Sequence, residues 1–436
     1  MPGGNDTLFA ADFSTDPYWW DQISRPDLDE TTLPKQVDVA VIGSGYTGLH
    51  AALQTARAGR DTLVLEREDA GFGCSTRNGG QISTSVKPEF ASLARRYGPE
   101  TARAILEDGR TALSWIGRFV ADEGIDCHFQ IPGRFHGAHN PKAYARLAKA
   151  LGAPQPKGLE IEAELVPRAE QRRMLGTDAY FGGVLYPRHA SLDPGRYHRG
   201  LLQRIMAAGA AIIDHCPVTA IERRGSGFLV TTPRGTVQAA DVVLATNGYT
   251  GPLSPWQRRR LIPIGSYIIA TEPLPTALID RLIPQDRIVS DTRKVVYYYR
   301  ASPDRTRILF GGRVSHSETD PRVSGPRLHA EMVRIFPELA GVRISHSWLG
   351  FVAYTFDELA HIGVHDGIHY AAGYCGSGVS MASYLGMRAG QRVLGLKEAR
   401  TGFDDIGFPT RPLYHGNPWF LAPMVAYYRW RDRLNW

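Results

Sequence analysis

Residues Val37 to Glu66 read VDVAVIGSGYTGLHAALQTARAGRDTLVLE, and the fold is decided there. Val37 to Ile42 is a short, nearly continuous apolar run, the pattern of a strand covered on both faces. Leu49, Ala52, Leu53 and Ala56 recur at helical spacing, and Gly59 marks a helix stop. Thr62 to Leu65 reads as a second buried strand. Between the first strand and the helix stand Gly43, Gly45 and Gly48 of GSGYTG. Small residues there let the backbone turn tightly and approach a pyrophosphate, which the helix N-terminus favours. Glu66 closes the second strand at about the 20-residue offset of a carboxylate that accepts ribose hydroxyls. Strand, turn, helix, strand and acid in one register predict a dinucleotide site opening a parallel α/β sheet.

Downstream, the chain does not add further strand–helix units at once. It enters GFGCSTRNGGQIS (Gly71 to Ser83), a glycine-rich loop without an apolar face. A helical region is predicted from Glu89 to Glu123 and another from Pro194 to Ala208, with short strands at Val218 to Ile221 and Phe228 to Thr232. Two later segments return to the first layer: VQAADVVLATNGYT (Val237 to Thr250), and a strand, glycine turn and helix in IHYAAGYCGSGVSMASYLGMRAGQRVL (Ile368 to Leu394). A cofactor gripped by three distant segments is large and deeply held, which favours FAD over diffusible NAD. Between them, IGSYIIATE, KVVYYYR and RILFGGR are strand-like. The start of the chain, with Tyr18, Trp19 and Trp20, reads as an arm on the body.

At 436 residues, two domains are expected, and 43% hydrophobic residues supply a sizeable core. The net charge of +6 comes mostly from dispersed arginines and suits an anionic cofactor; no nucleic-acid motif accompanies it. Cys74, Cys127, Cys216 and Cys375 form no CxxC pair, so no metal site or disulfide framework is expected and a reducing cytoplasm is the simplest compartment. The N-terminus lacks the pattern of a secretory signal, and no apolar run has membrane-spanning length.

In order, GSGYTGLHAAL, STRNGGQ, ATNGYT, IPIGSYIIATEPL, ILFGGR, the HIG of DELAHIG and GYCGSGVS resemble the D-amino-acid oxidase/glycine oxidase family of FAD-dependent oxidoreductases. RNGGQ and IATEPL are most similar to its gamma-glutamylputrescine oxidase branch. The resemblance implies a Rossmann-like FAD-binding domain, discontinuous in sequence (30–90, 190–250 and 345–400), and an α+β substrate domain on a mixed or antiparallel sheet (91–189 and 251–344). Residues 1–29 would form an N-terminal arm and 401–436 a C-terminal packing segment. It also implies hydride transfer from an amine to the flavin N5, hydrolysis of the imine, and re-oxidation by oxygen or another acceptor. The resemblance further assigns Gly43, Gly45, Gly48, Glu66, Arg67, Gly73, Ser75, Arg77, Asn78, Gly79, Gly80 and Gln81 to the cofactor. Val218, Thr246, Asn247, Gly373, Gly376, Ser377, Gly378 and Val379 join them.

The substrate is read from departures. In SWLGFVAYTFDELAHIG, Val352 falls where the glycine-oxidase segment has a carboxylate-clamping arginine and near where sarcosine oxidases carry a flavin-linked cysteine. Ser380 falls where sarcosine oxidases place a carboxylate-binding lysine, and no oxygen-activating lysine matches around ILFGGR. A non-covalent FAD and an amine without an adjacent carboxylate are expected: gamma-glutamylputrescine-like, polyamine-like or N-substituted. Tyr267, Tyr299, Tyr354, Val352 and Arg300 are the pocket candidates. Strand alternation puts Tyr297 and Tyr299 on one face and Tyr298 on the other, and a tyrosine face would attract a cationic amine; ordinary sheet packing is the other reading. Arg300 and Arg313 are candidates for a distal substrate carboxylate, with ion pairing as the alternative. His316, His361 and Cys375 are read as structural. The C-terminal NPWFLAPMVAYYRWRDRLNW either docks on the body or a second subunit, or lies on a membrane without inserting stably. A monomer or homodimer is expected. An amino-acid oxidase or dehydrogenase of the glycine or sarcosine oxidase type stays open, as does a non-catalytic flavin-holding subunit.

Overall fold

The computed structural model describes residues 8–21, 23–25, 28, 32–83, 86–313 and 319–433. Its first sheet is centred on the strand Gln36–Ile42, which lies parallel to Thr62–Leu65 on one side and to Gly235–Leu244 on the other. Ala211–Ile213 continues the parallel set beyond Thr62–Leu65. The run read as covered on both faces is so: helices Tyr46–Arg57, Pro99–Asp122, Pro194–Ala207 and Gly378–Val393 pack over one side. A separate core with Phe228, Val230 and Val237 closes the other.

Gly235–Leu244 changes character along its length. Its first half is the last strand of an antiparallel meander, with Ala220–Arg224 and Gly227–Thr232, and its side chains alternate between buried and exposed. Its last three residues, Val242 to Leu244, are all buried, because there it takes Ile368–Ala372 as a parallel neighbour through Val243 and Leu244. His361–His365 then pairs antiparallel with that neighbour.

The second sheet has nine strands in the order Phe9–Ser14, Ile344–Tyr354, Ile262–Thr271, Ile308–Gly312, Tyr297–Ala301, Ile288–Asp291, Arg134–Gly137, Gly183–Tyr186 and Glu164–Val166. It is mixed: Phe9–Ser14 runs parallel to its neighbour, as do Ile288–Asp291 and Arg134–Gly137 to each other, and the other pairs are antiparallel. The helix Pro321–Ile335 packs on one face through Leu328, Met332 and Ile335. The opposite face looks toward the first sheet.

Several sequence expectations are corrected. The helical region at 89–123 is two helices, Phe90–Tyr97 and Pro99–Asp122, broken at Gly98 with φ of 86°. Val218 precedes its strand, which starts at Ala220. The segment 91–189, expected with the second sheet, sends its long helix into the first core, because Ala102, Ile105, Ala112 and Ile116 form a continuous apolar face. Ile344–Tyr354, expected largely with the FAD segments, belongs to the second sheet along its whole length. The N-terminal arm supplies the edge strand Phe9–Ser14 and the short helix Tyr18–Asp21. Among the described residues no helix is long and apolar enough to cross a membrane.

Candidate active site

The strand Gln36–Ile42 ends in Gly43, whose φ of 103° suits glycine, and whose amide donates to the Leu65 carbonyl at 2.8 Å. The next residues are fixed from below. Ser44 donates through its amide and hydroxyl to Glu66 Oε2 at 2.9 and 2.7 Å. His198 donates through Nε2 to the Ser44 carbonyl at 2.8 Å. A Cβ at Gly48 would overlap the Gly43 carbonyl oxygen, so the helix Tyr46–Arg57 passes the turn at a distance only glycine allows. The Ser75 hydroxyl accepts from the Tyr46 amide at 2.9 Å and thereby caps this helix from the GFGCSTRNGGQIS loop.

That loop is held by its own polar side chains. Asn78 donates to the Cys74 and Ser75 carbonyls and accepts from the Gly80 amide at 2.8 Å. Gln81 donates to the carbonyls of Val289 and Tyr299, at 3.3 and 3.1 Å, and so ties the loop to the second sheet. Arg77 donates to the Phe72 carbonyl at 2.7 Å, and its guanidinium lies over the rings of Trp20 and Phe72. Trp19 and Trp348, packed in one cluster, donate to the loop carbonyls of Asn78 and Arg77 at 2.8 and 2.9 Å.

The third segment closes the same space. Asn247, at φ 42°, accepts from the Gly373 amide at 2.9 Å. Cys375 and Gly376 continue with φ of 52° and 96° into the helix Gly378–Val393. Gly386 lies against Thr47 and Gly390 against Ala51, so this helix runs tightly beside Tyr46–Arg57. Two helix N-termini therefore face one cavity, an arrangement that favours negative charge.

The cavity measures 1170 Å³ and draws its lining from both sheets and all three segments. That exceeds the roughly 300–1,000 Å³ of an ordinary small-molecule site, leaving room for a dinucleotide together with a second ligand. Gly43, Gly45, Glu66, Arg67, Gly73, Ser75, Arg77, Asn78, Gly79, Gln81, Val218, Thr246, Asn247, Gly376, Ser377, Gly378 and Val379 all line it. Gly48, Gly80 and Gly373 stand behind the wall. Gly80 is pressed on the Leu192 carbonyl and Gly373 on Thr355, so they shape the turns without reaching the space.

At the second sheet, alternation decides the outcome. Tyr298 faces the cavity, whereas Tyr297 and Tyr299 point into the opposite core with Phe310. Tyr299 is thus corrected as a pocket residue: its hydroxyl donates to that of Tyr180 at 3.1 Å. Tyr267 is corrected likewise, because its buried hydroxyl accepts from the Thr319 amide at 2.7 Å on the far face. Arg300 does not reach the cavity either; it donates to the carbonyls of Leu192, Ala301 and Gly80. Arg313 does reach it and donates to the Gly265 carbonyl at 2.7 Å.

Val352 and Tyr354 line the cavity, with Ile264 opposite Val352 in the strand pair. The Tyr298 ring lies between Gly79 and Gly311, and its hydroxyl is 2.8 Å from that of Ser266. Burial pushes the Tyr298 hydroxyl well above its ordinary pKa, so it stays protonated. Ser380 is buried and donates to the Ser83 carbonyl at 3.3 Å. His361 is buried 3.1 Å from the Asp357 carboxylate. Cys375 and Cys74 line the cavity, and burial pushes both thiols up to about 11. His316 lies outside the described residues.

The sequence reading missed Lys87, which enters the cavity and donates to the Tyr354 hydroxyl at 2.7 Å. It also missed the C-terminal wall. In the helix Leu421–Arg433, Leu421, Met424, Val425 and Tyr428 line the cavity beside Val295. Asp432 accepts from the Lys294 and Val295 amides at 3.0 and 3.2 Å. The signal present was only an apolar spacing in a segment otherwise rich in arginine.

A family model described as FAD dependent oxidoreductase (DAO) matches residues 38–392. The chain is 32% identical over 407 residues to the gamma-glutamylputrescine oxidoreductase of Escherichia coli (strain K12), covering 91% of this chain and 93% of that protein. It is 30% identical over 404 residues to the probable oxidoreductase OrdL of Rhizobium meliloti (strain 1021), covering 92% and 93%. Among solved structures, glycine oxidase from Geobacillus kaustophilus superposes with a TM-score of 0.72 at 18% identity, over 87% of this chain and 99% of that one.

Proposed function

The chain belongs to the DAO family of FAD-dependent oxidoreductases, and from that premise we propose that it oxidises an amine whose reacting carbon bears no carboxylate. The substrate class is a gamma-glutamylputrescine-like, polyamine-like or N-substituted amine. FAD, held without a covalent bond, supplies the hydride acceptor, and water hydrolyses the released imine. The observation that carries this reading is the aliphatic wall made by Val352 and its cross-strand partner Ile264. An α-carboxylate brought there would be desolvated against two aliphatic side chains.

The chain's own part is to bind and orient. Gly43, Gly45, Ser75, Gly376, Ser377 and Gly378 present backbone and two helix N-termini to the anionic end of the cofactor. Tyr298, fixed by Ser266, offers a protonated hydroxyl to an amine, and Tyr354 lines the same space; holding the amine as the free base beside the hydride acceptor is the positioning the reaction needs. Protonated thiols at Cys74 and Cys375 support the non-covalent reading. Oxygen is the proposed acceptor and the cytoplasm the proposed compartment, for a monomer or homodimer.

One observation favours a second reading, amino-acid oxidation: the Lys87 ammonium stands beside Tyr354 and is a cation at the cavity wall. Anaerobic bleaching of the yellow protein separates the two. Polyamines and N-alkyl amines should bleach it and simple amino acids should not, and air should restore the colour. Bleaching by amino acids alone would transfer the assignment to the second reading. A protein that no amine or amino acid bleaches would be a flavin-holding subunit.

A further inference from the structure

Beyond Tyr298, the cavity continues along the second sheet over the strands Ile288–Asp291 and Arg134–Gly137. These run parallel in register, Ile288 beside Arg134 and Ser290 beside His136. Alternation turns those four residues to the cavity and buries Phe135 and Val289 on the other side. Ser290 Oγ and His136 Nδ1 are 2.9 Å apart. Arg134 is the unusual member. Its Nε is buried without a hydrogen-bond partner, and among the described residues its guanidinium makes no hydrogen bond and no ion pair. The Tyr186 ring lies 4.9 Å from the guanidinium carbon, and Tyr186 is itself stacked on His189.

A guanidinium with a buried, unpartnered Nε, and with terminal nitrogens that find no acceptor among the described residues, is placed to meet an anion in the cavity. Among the cavity-lining arginines, Arg293 has Asp291, and Arg77 and Arg313 have carbonyl acceptors. We propose that Arg134, with Ser290 and His136 beside it, is the binding subsite for a carboxylate at the end of the substrate remote from the oxidised amine. The inference rests on the reading of this cavity as an amine-substrate site.

The charge balance selects a carboxylate over a dianion such as phosphate. Burial and the Arg134 charge hold His136 and His189 neutral, with pKa values of about 3 and about 2. The subsite therefore carries one positive charge, and a planar fork matches a planar carboxylate. Two strand spacings, about 10 Å, separate Arg134–Gly137 from the strand of Tyr298. Amine and carboxylate then belong to opposite ends of an extended molecule, as the neutral wall at Val352 also requires.

The test uses the flavin-loaded protein and two amine-free probes that cannot be oxidised: glutaric acid mono-N-butylamide and its terminal carboxamide counterpart. Calorimetric titration should give the acid at least ~30-fold tighter binding than the amide, the range of a charge-assisted pair. Arg134→Gln should shrink that preference to threefold or less, and Arg134→Lys should keep part of it. Arg134→Met should leave the thermal midpoint unchanged or raise it, because it removes a charge that has no partner among the described residues; a structural arginine would give a fall. Equal binding of acid and amide, binding of neither, or a preference that survives Arg134→Gln overturns the proposal. These titrations are independent of amine turnover. A bleaching panel that rejects every amine therefore defeats the function proposed above, while the acid preference still reports on Arg134.

Discussion

A Cβ on Gly48 would overlap the Gly43 carbonyl oxygen, a backbone atom held where the strand turns. Gly48→Ala should therefore cost about 3 kcal/mol, as overpacking does, and the purified protein should lose most of its flavin. Gly378 is the contrast: nothing stands within 4 Å of a Cβ there, and the position opens on the cavity. Gly378→Ala should leave the thermal midpoint of the flavin-free protein unchanged or higher while weakening flavin retention; equal retention in both variants would refute this division. Lys87 carries a third expectation. Its exposed ammonium, held at the cavity mouth by the Tyr354 hydroxyl, favours an acceptor that gains negative charge. Lys87→Met should slow the return of colour in air about tenfold or more while leaving anaerobic bleaching by amines nearly unchanged, as stopped-flow absorbance would show. The glycines were legible in sequence because their role is local. Tyr298 was not, since a period of two defines two faces without saying which one meets the cofactor.

Among the elements, the helix Leu421–Arg433 has the clearest separable role. Leu421 and Val425 pack on Val295, and Met424 and Tyr428 complete the cavity wall. Ending the chain at residue 417 should lower the thermal midpoint and reduce kcat/KM for amines while the flavin stays bound, because Gly43, Gly45, Gly376 and Gly378 lie on other elements. Equal kcat/KM in the truncated protein would show that the helix is no part of the site. The strands and helices around Gly43 were readable because both faces of that sheet are covered by one continuous chain pattern. Lys87 and the C-terminal wall were not, since each acquires its place through contacts more than 100 residues away in sequence, Tyr354 for the first and Val295 for the second. The resemblance assigned Asn78 and Gln81 to the cofactor, yet their side chains chiefly brace the backbone that borders the cavity.

Across the molecule, burial sets the response to acid. His50 is held at a pKa of about 3, by burial and then by Arg57; His198 is held at about 4, by burial despite its bond to the Ser44 carbonyl. In the unfolded chain both titrate near 6.5. Below about pH 6.5 the unfolded chain therefore binds protons that the folded one refuses, so stability falls as pH drops and levels off only below the folded values. The loss should be on the order of 1 to 2 kcal/mol per histidine by pH 5. Differential scanning calorimetry from pH 7.5 to 5 should show a falling midpoint, and a flat profile would refute the account.

The change of partner halfway along Gly235–Leu244 has a consequence for biosynthesis. On a ribosome, its antiparallel half can pair as soon as it emerges, because Gly227–Thr232 precedes it, but Val243 and Leu244 wait for their second parallel neighbours, His369 and Tyr370, more than 120 residues later. The helix Gly378–Val393, whose N-terminal residues line the cavity, comes later still. Nascent chains thus carry an exposed apolar strand edge while more than 120 further residues are made, the state that chaperones guard. The cavity that both segments line is complete only once that helix has followed.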